Sequence, residues 1–116
     1  MRSTALRFLD AILEAIGTIE KETAGIPFEE FAKDQQLHDA VIRNFKIIGE
    51  AIRHLPADLK ARYPKTDWKR ITRSYDLPSH AYSGVTSVIL WDTSINKIPE
   101  LKMEIRFIHM NEEEPK

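Results

Sequence analysis

The sequence predicts an all-α fold, a mostly antiparallel bundle of four or five helices. Three observations predict it. Apolar residues recur at steps of three and four along most of the chain, no stretch alternates convincingly with period two, and Gly or Pro stands at several breaks between the periodic runs. The first run carries Ala5, Leu9, Ile12, Ile16 and Ile19 on one stripe, with Asp10, Glu14 and Lys21 off it. Gly25 and Pro27 stop that helix, and Phe28–Asp34 reads as one or two further turns. The strongest stripe follows: Leu37, Val41, Phe45, Ile48, Ile52 and Leu55, roughly five turns ended by Pro56. Pro56 also suits the first position of a short helix ending near Tyr63, before Pro64. Thr66 or Asp67 then caps a segment carrying Trp68 and Ile71, which Pro78 should disturb. The last run places Val88, Trp91, Ile95 and Ile98 at three and four. Pro99 marks a kink or restart, and Leu101, Ile105 and Ile108 continue the run.

At 116 residues the chain is one domain's worth, expected over 1–110, with 111–116 as a frayed acidic tail. Its 17 Lys+Arg against 18 Asp+Glu leave a formal charge of −1, which argues against a protein that coats nucleic acid by overall basicity. The 42% of apolar residues suffices for a core and excludes wholesale disorder. There is no Cys, so disulfides, thiolate zinc sites and Cys nucleophiles are excluded. The longest stretch without Asp, Glu, Lys or Arg, Leu77–Trp91, contains Pro78, His80 and Gly84 and falls short of a membrane span. Asp10 and Glu14 interrupt the first apolar run, so it is not a signal peptide, and the expected location is the cytoplasm. Apolar residues off the main stripes (Leu6, Phe8, Leu13, Ile42 and Ile47) suggest a helix-mediated homodimer, or faces covered by loops and short helices.

Charge is uneven. Between Arg53 and Arg73 stand Arg53, Lys60, Arg62, Lys65, Lys69, Arg70 and Arg73 against Asp58 and Asp67, a local net of +5. Such a patch attracts phosphates, or it is simply a solvated helix face. His38, His54, His80 and His109 show no paired metal-ligand spacing, and no glycine-rich phosphate loop or Gly-x-Ser-x-Gly turn occurs. No metal site or cofactor is expected. The remaining candidates for chemistry lie in Arg73-Ser-Tyr-Asp-Leu-Pro-Ser-His80-Ala-Tyr82. Cleavage of RNA by its own 2′-hydroxyl needs a base near neutral pKa, which imidazole supplies. It also needs a fixed cation for the charge that builds on phosphorus, which guanidinium meets with two parallel hydrogen bonds.

The run from about Leu9 to Ile108 resembles the HepT-like members of the HEPN superfamily, the toxin half of HEPN–MNT toxin–antitoxin pairs of type VII. The resemblance rests on Asp39-Ala-Val-Ile-Arg-Asn-Phe-Lys-Ile-Ile-Gly-Glu-Ala-Ile-Arg53 and on Tyr63, Pro64 and Trp68. It also rests on the Arg73…His80-Ala-Tyr82 element, on Trp91-Asp92 and on Ile98-Pro-Glu-Leu101. It implies a metal-independent endoribonuclease that cuts cellular RNA such as tRNA or mRNA, working as a homodimer with both motif copies facing a shared cleft. It implies Arg73 and His80 as the catalytic pair, with Tyr82 positioning RNA. The implied partner is an MNT-type nucleotidyltransferase antitoxin that transfers AMP from ATP to Tyr82, placing a bulky anion beside His80 and Arg73.

The chain departs from the commonest pattern. Six residues rather than four separate Arg73 from His80, Asp76 and Pro78 among them, and Ser74 stands where a strongly polar residue is usual. On an unbroken helix Arg73 and His80 share a face but lie about 10 Å apart along the axis. Three arrangements stay open: Pro78 brings His80 back, Arg73 works with the His80 of a second subunit, or the site has decayed. Arg43, Asn44, Glu50, Ser74, Lys69 and Arg70 are candidate cleft-lining residues. Glu50 and Asp92 are either buried supports of the motif or exposed. Trp68 and Trp91 read as core anchors before stacking platforms. The alternative in another class is a non-catalytic helical subunit that holds a nucleotidyltransferase and its nucleotide or RNA.

Overall fold

The computed structural model describes residues 3–75 and 86–113, and the regular structure among them is helical throughout. Helix α1 (Thr4–Thr23) starts where the Ser3 hydroxyl accepts the Leu6 amide at 3.1 Å. It buries Leu9, Ile12, Ile16 and Ile19, the predicted stripe. Gly25 then takes φ +73°, a left-handed turn that a side chain would resist, and redirects the chain. After the short α2 (Phe28–Lys33), the Asp34 carboxylate accepts the Leu37 amide at 3.0 Å and caps α3 (Gln35–His54). Val41, Phe45, Ile48 and Ile52 of α3 are buried as predicted, each worth about 1.5–3 kcal/mol on removal from water.

Helix α4 (Ala57–Arg62) anchors through Leu59, and Asp67 rather than Thr66 caps α5 (Trp68–Tyr75), accepting the Arg70 amide at 3.1 Å. A long helix closes the chain as α6 (Thr86–Asp92), a π-helical turn (Thr93–Lys97) and α7 (Ile98–Glu113). Pro99 explains the π turn: it lacks an amide donor and its ring crowds the turn before it, so the helix widens. The Ile98 amide accordingly donates to the Thr93 carbonyl, five residues back.

The packing is antiparallel where it can be traced. Asp10 meets His109 at 2.7 Å while Glu20 meets Lys102 at 3.0 Å, so α1 and α7 run in opposite directions. Likewise Phe8 of α1 stacks on His54 at the end of α3, while Glu22, near the end of α1, feels the charge of Arg43 in the first half of α3. Among the described residues the short α2 and α4 stand beside the longer helices of the bundle.

Three expectations need correction. The predicted stripe of the last run holds only in part before Pro99: Ile98 is buried and Trp91 packs on the core, whereas Val88 and Ile95 face solvent and Leu90, Thr93 and Ser94 are buried instead. The extra residue of the π turn shifts the helical phase, which spacing alone does not reveal. The tail from Asn111 is helical through Glu113. Glu112 holds it there, accepting from Arg62 at 2.6 Å and from the Tyr63 hydroxyl at 2.8 Å. The apolar surplus also sits elsewhere than expected. Ile42 is buried, and Leu6, Phe8 and Leu13 pack partly against the core. Ile47 alone of that set is exposed, while Val88, Ile89, Met103, Phe107 and Met110 form the larger uncovered share. No helix among the described residues is long and apolar enough to cross a membrane.

Candidate nucleic-acid interface

Helix α5 sets Arg73. Ile71 and Tyr75 are buried, and the Tyr75 ring meets Phe45 of α3 edge-on at 5.4 Å. Burial, with the Glu100 and Glu104 charges, pushes the Tyr75 phenol far above its ordinary range, so it stays a neutral core group. At about 100° per residue, Arg73 then projects away from the core, with Lys69 one turn earlier on the same side. Trp68 ties α5 to α4, because its indole N–H lies between the carbonyls of Lys60 (3.3 Å) and Tyr63 (3.2 Å). That tie closes a groove of about 500 Å³ lined by Lys60, Trp68, Lys69, Thr72 and Arg73. Trp68 is thus both a partial core anchor and a groove wall.

Some cations of this molecule are held by carboxylates and others are not. Among the described residues, Arg53 pairs with Glu50, Arg62 with Glu112 and Asp58, and Lys102 with Glu20. Lys60, Lys69 and Arg73 have no carboxylate within ion-pair distance among those residues. Three positive charges on one groove without internal counter-charge favour an anion from outside.

The other predicted cleft residues scatter. Arg70 and Ser74 lie on the opposite flank of α5, facing Lys97, Glu100 and Glu104. Arg70 sits 3.8 Å from Asp67, and the Ser74 hydroxyl donates to the Arg70 carbonyl at 3.0 Å. Arg43 and Glu50 line a separate groove between α1 and α3 with Phe8, Ala11 and Ile47. Asn44 is buried and donates to the Ala40 carbonyl of its own helix at 3.0 Å. Glu50 and Asp92 are exposed, and Asp92 accepts from Asn96 at 2.8 Å. Of the six proposed lining residues, a single protomer brings only Lys69 to the Arg73 groove. Lys60, Trp68 and Thr72 join it without having been singled out as lining residues; Lys60 comes from α4, which the Trp68 indole bonds.

His80 and Tyr82 lie outside the described residues, as do Asp76 and Pro78. The flanking anchors are described. Tyr75 packs on Phe45, and the Ser87 hydroxyl stands 3.3 Å from His38 Nε2. Phe45 and His38 lie seven residues apart on one side of α3, about 10 Å along its axis. Among the described residues no group of three or more His, Asp and Glu is placed to hold a metal ion.

The family profile described as Ribonuclease HepT-like matches residues 12–108, which takes in every element that shapes the Arg73 groove. The chain belongs to the HepT-like ribonuclease family. It is 41% identical over 102 residues to a probable ribonuclease HepT of Thermococcus cleftensis, covering 88% of this chain and 93% of that relative. A Methanocaldococcus jannaschii protein with a provisional RNase name is 42% identical over 101 residues, covering 87% of this chain and 84% of that relative. Another, from Caldanaerobacter subterraneus subsp. tengcongensis, is 36% identical over 105 residues, or 90% and 94% of the two chains. No solved structure matches the chain. For this HepT-like chain, the family match spans the segment with Arg73, His80 and Tyr82, and the geometry adds the unpaired cations beside Arg73.

Proposed function

We propose that this HepT-like protein is a metal-independent endoribonuclease, the toxin of a HEPN–MNT module, with its RNA backbone lying in the Arg73 groove. The single observation that carries the reading is the cluster of Lys60, Lys69 and Arg73, which share one groove and lack carboxylate partners among the described residues. In the reaction, His80 takes the proton of a ribose 2′-hydroxyl as that oxygen attacks the adjacent phosphorus. The P–O5′ bond breaks, leaving a 2′,3′-cyclic phosphate and, once the departing oxygen is protonated, a 5′-hydroxyl. Arg73 neutralises the charge that accumulates on the non-bridging oxygens. Tyr82 helps to seat the RNA. An MNT-type nucleotidyltransferase silences the site by transferring AMP from ATP to the Tyr82 hydroxyl with release of pyrophosphate, which sets an anion where the RNA phosphate must lie.

The reading includes a homodimer in which the two motif copies face each other. Val88 and Ile89, exposed on α6 and following the motif in the chain, are the apolar residues this reading assigns to that contact. Val88→Glu should convert a dimer to monomer in sedimentation.

Cleavage of labelled RNA in EDTA tests the activity. Wild type should leave 2′,3′-cyclic phosphate ends and His80→Ala should leave the RNA intact. Equal cutting by both would assign the cleavage to a contaminant and end the proposal. A growth assay separates enzyme from non-catalytic subunit: expression of wild type should arrest cells and Arg73→Ala should not.

A further inference from the structure

A second groove, of about 520 Å³, lies between the turn at Tyr63–Thr66 and α7. Tyr63, Pro64 and Phe107 wall it, Lys65 stands at its edge, and Glu104 and Asn111 reach it from α7. The Tyr63 and Phe107 rings are nearly perpendicular, 86°, with centroids 6.4 Å apart. They differ in how they are held. The Tyr63 hydroxyl is tied to Glu112, and burial together with that carboxylate pushes its phenol up to about 12. Phe107 is 62% exposed, an uncovered ring beside a fixed one. Glu104 lines both this groove and the small cavity beside Tyr75, and its Oε2, shut off from solvent, has no hydrogen-bond donor among the described residues. Lys65 has no carboxylate within ion-pair distance among those residues.

Two aromatic walls, an acceptor-only carboxylate and a lysine specify a flat ring with N–H groups on its edge, attached to negative charge. An unpaired nucleobase with its phosphate has that chemistry. The two grooves share one ridge. Trp68, a wall of the Arg73 groove, donates to the Tyr63 carbonyl at the start of the turn that walls the second groove. A strand laid along Lys69 and Arg73 therefore reaches the second groove by crossing that turn.

We propose that the Tyr63–Phe107 groove is a base-reading subsite for the RNA cut at Arg73, and that Glu104 selects bases bearing an amino group over uracil. Cytosine, adenine and guanine each offer an exocyclic N–H₂ to the carboxylate. Uracil offers one ring N–H between two carbonyl oxygens, which the carboxylate repels. The inference rests on the ribonuclease reading and adds a sequence preference to it.

Binding of labelled oligonucleotides carrying 2′-O-methyl groups tests it, since these lack the nucleophile and stay intact. Wild type should bind oligocytidylate and oligoadenylate at least about fivefold tighter than oligouridylate. Phe107→Ala should weaken binding of the cytidylate and adenylate about tenfold, through lost stacking, and leave the salt dependence unchanged. Glu104→Gln should keep the binding and erase the preference against uridylate. If Phe107→Ala and Glu104→Gln both bind as wild type while Lys69→Ala binds more weakly, the subsite is wrong and the ribonuclease reading stands. If no oligonucleotide binds wild type, both fail. If Phe107→Ala instead lowers the sedimentation mass of the RNA-free protein, the face is a protein contact and the subsite is overturned.

Discussion

The two basic regions of this molecule are built on opposite terms. At the outer end of α7, Arg62 is spent on Glu112 and Asp58, and at the α1–α7 seam Lys102 is spent on Glu20. On α5 and the end of α4, Arg73, Lys69 and Lys60 stand on a groove with no carboxylate partner among the described residues. The first kind of cation holds helices in register. The second kind leaves its charge available to a ligand, and since scattered cations such as Arg7, Lys33 and Arg106 also lack an ion pair among the described residues, it is the convergence of three on one groove that marks the site.

The largest effect should come from giving the groove an internal counter-charge. Lys69→Glu places a carboxylate four residues before Arg73, a favourable helical pair. It should lower RNA affinity by about ten- to a hundredfold at low salt while leaving thermal stability level or slightly raised. Next, Lys60→Ala and Lys69→Ala should each weaken binding several-fold for every sequence and reduce the salt slope by about one. Titrations at two or more salt concentrations check both. On the paired side, Glu112→Ala takes the shared carboxylate from the Tyr63 hydroxyl and from Arg62, which keeps Asp58. It should cost about 1–2 kcal/mol, several degrees of Tm in a thermal melt, with affinity for oligouridylate unchanged.

The smallest effect concerns Glu22, whose carboxyl is raised by burial, with Arg43 working against the shift, and whose Oε1 has no donor among the described residues. A carboxylate raised in the folded state destabilises above that pKa and costs nothing below the unfolded value. Glu22→Gln should therefore raise Tm by about 1–3 °C at neutral pH. The advantage should fade as pH falls through the raised pKa into the ordinary carboxylate range.

The long stripes of α1 and α3 were legible because burying one face of a helix imposes its own spacing on the sequence, as Leu9 to Ile19 and Val41 to Ile52 show. Phase errors were not legible: the π turn ahead of Pro99 turns Ile95 outward and Thr93 inward, against the spacing. Arg73 could be singled out from its motif, but its neighbours could not. Arg43 and Phe45 stand two residues apart in sequence and point about 160° apart on α3, so Arg43 faces away from the side that packs on α5. Lys60 joins the groove where the Trp68 indole bonds its carbonyl, and Glu112 orders the last turn through contacts that include residues 62 and 63. Such pairings belong to tertiary structure, and periodicity carries no record of them.

Single-turnover RNA cleavage in EDTA by Arg73→Ala and Arg62→Ala, run side by side with wild type, tests the distinction most directly. Loss of the unpaired guanidinium should slow cleavage by at least about a hundredfold, and loss of the paired one by less than about threefold. Equal rates for the two variants would contradict the assignment of the groove.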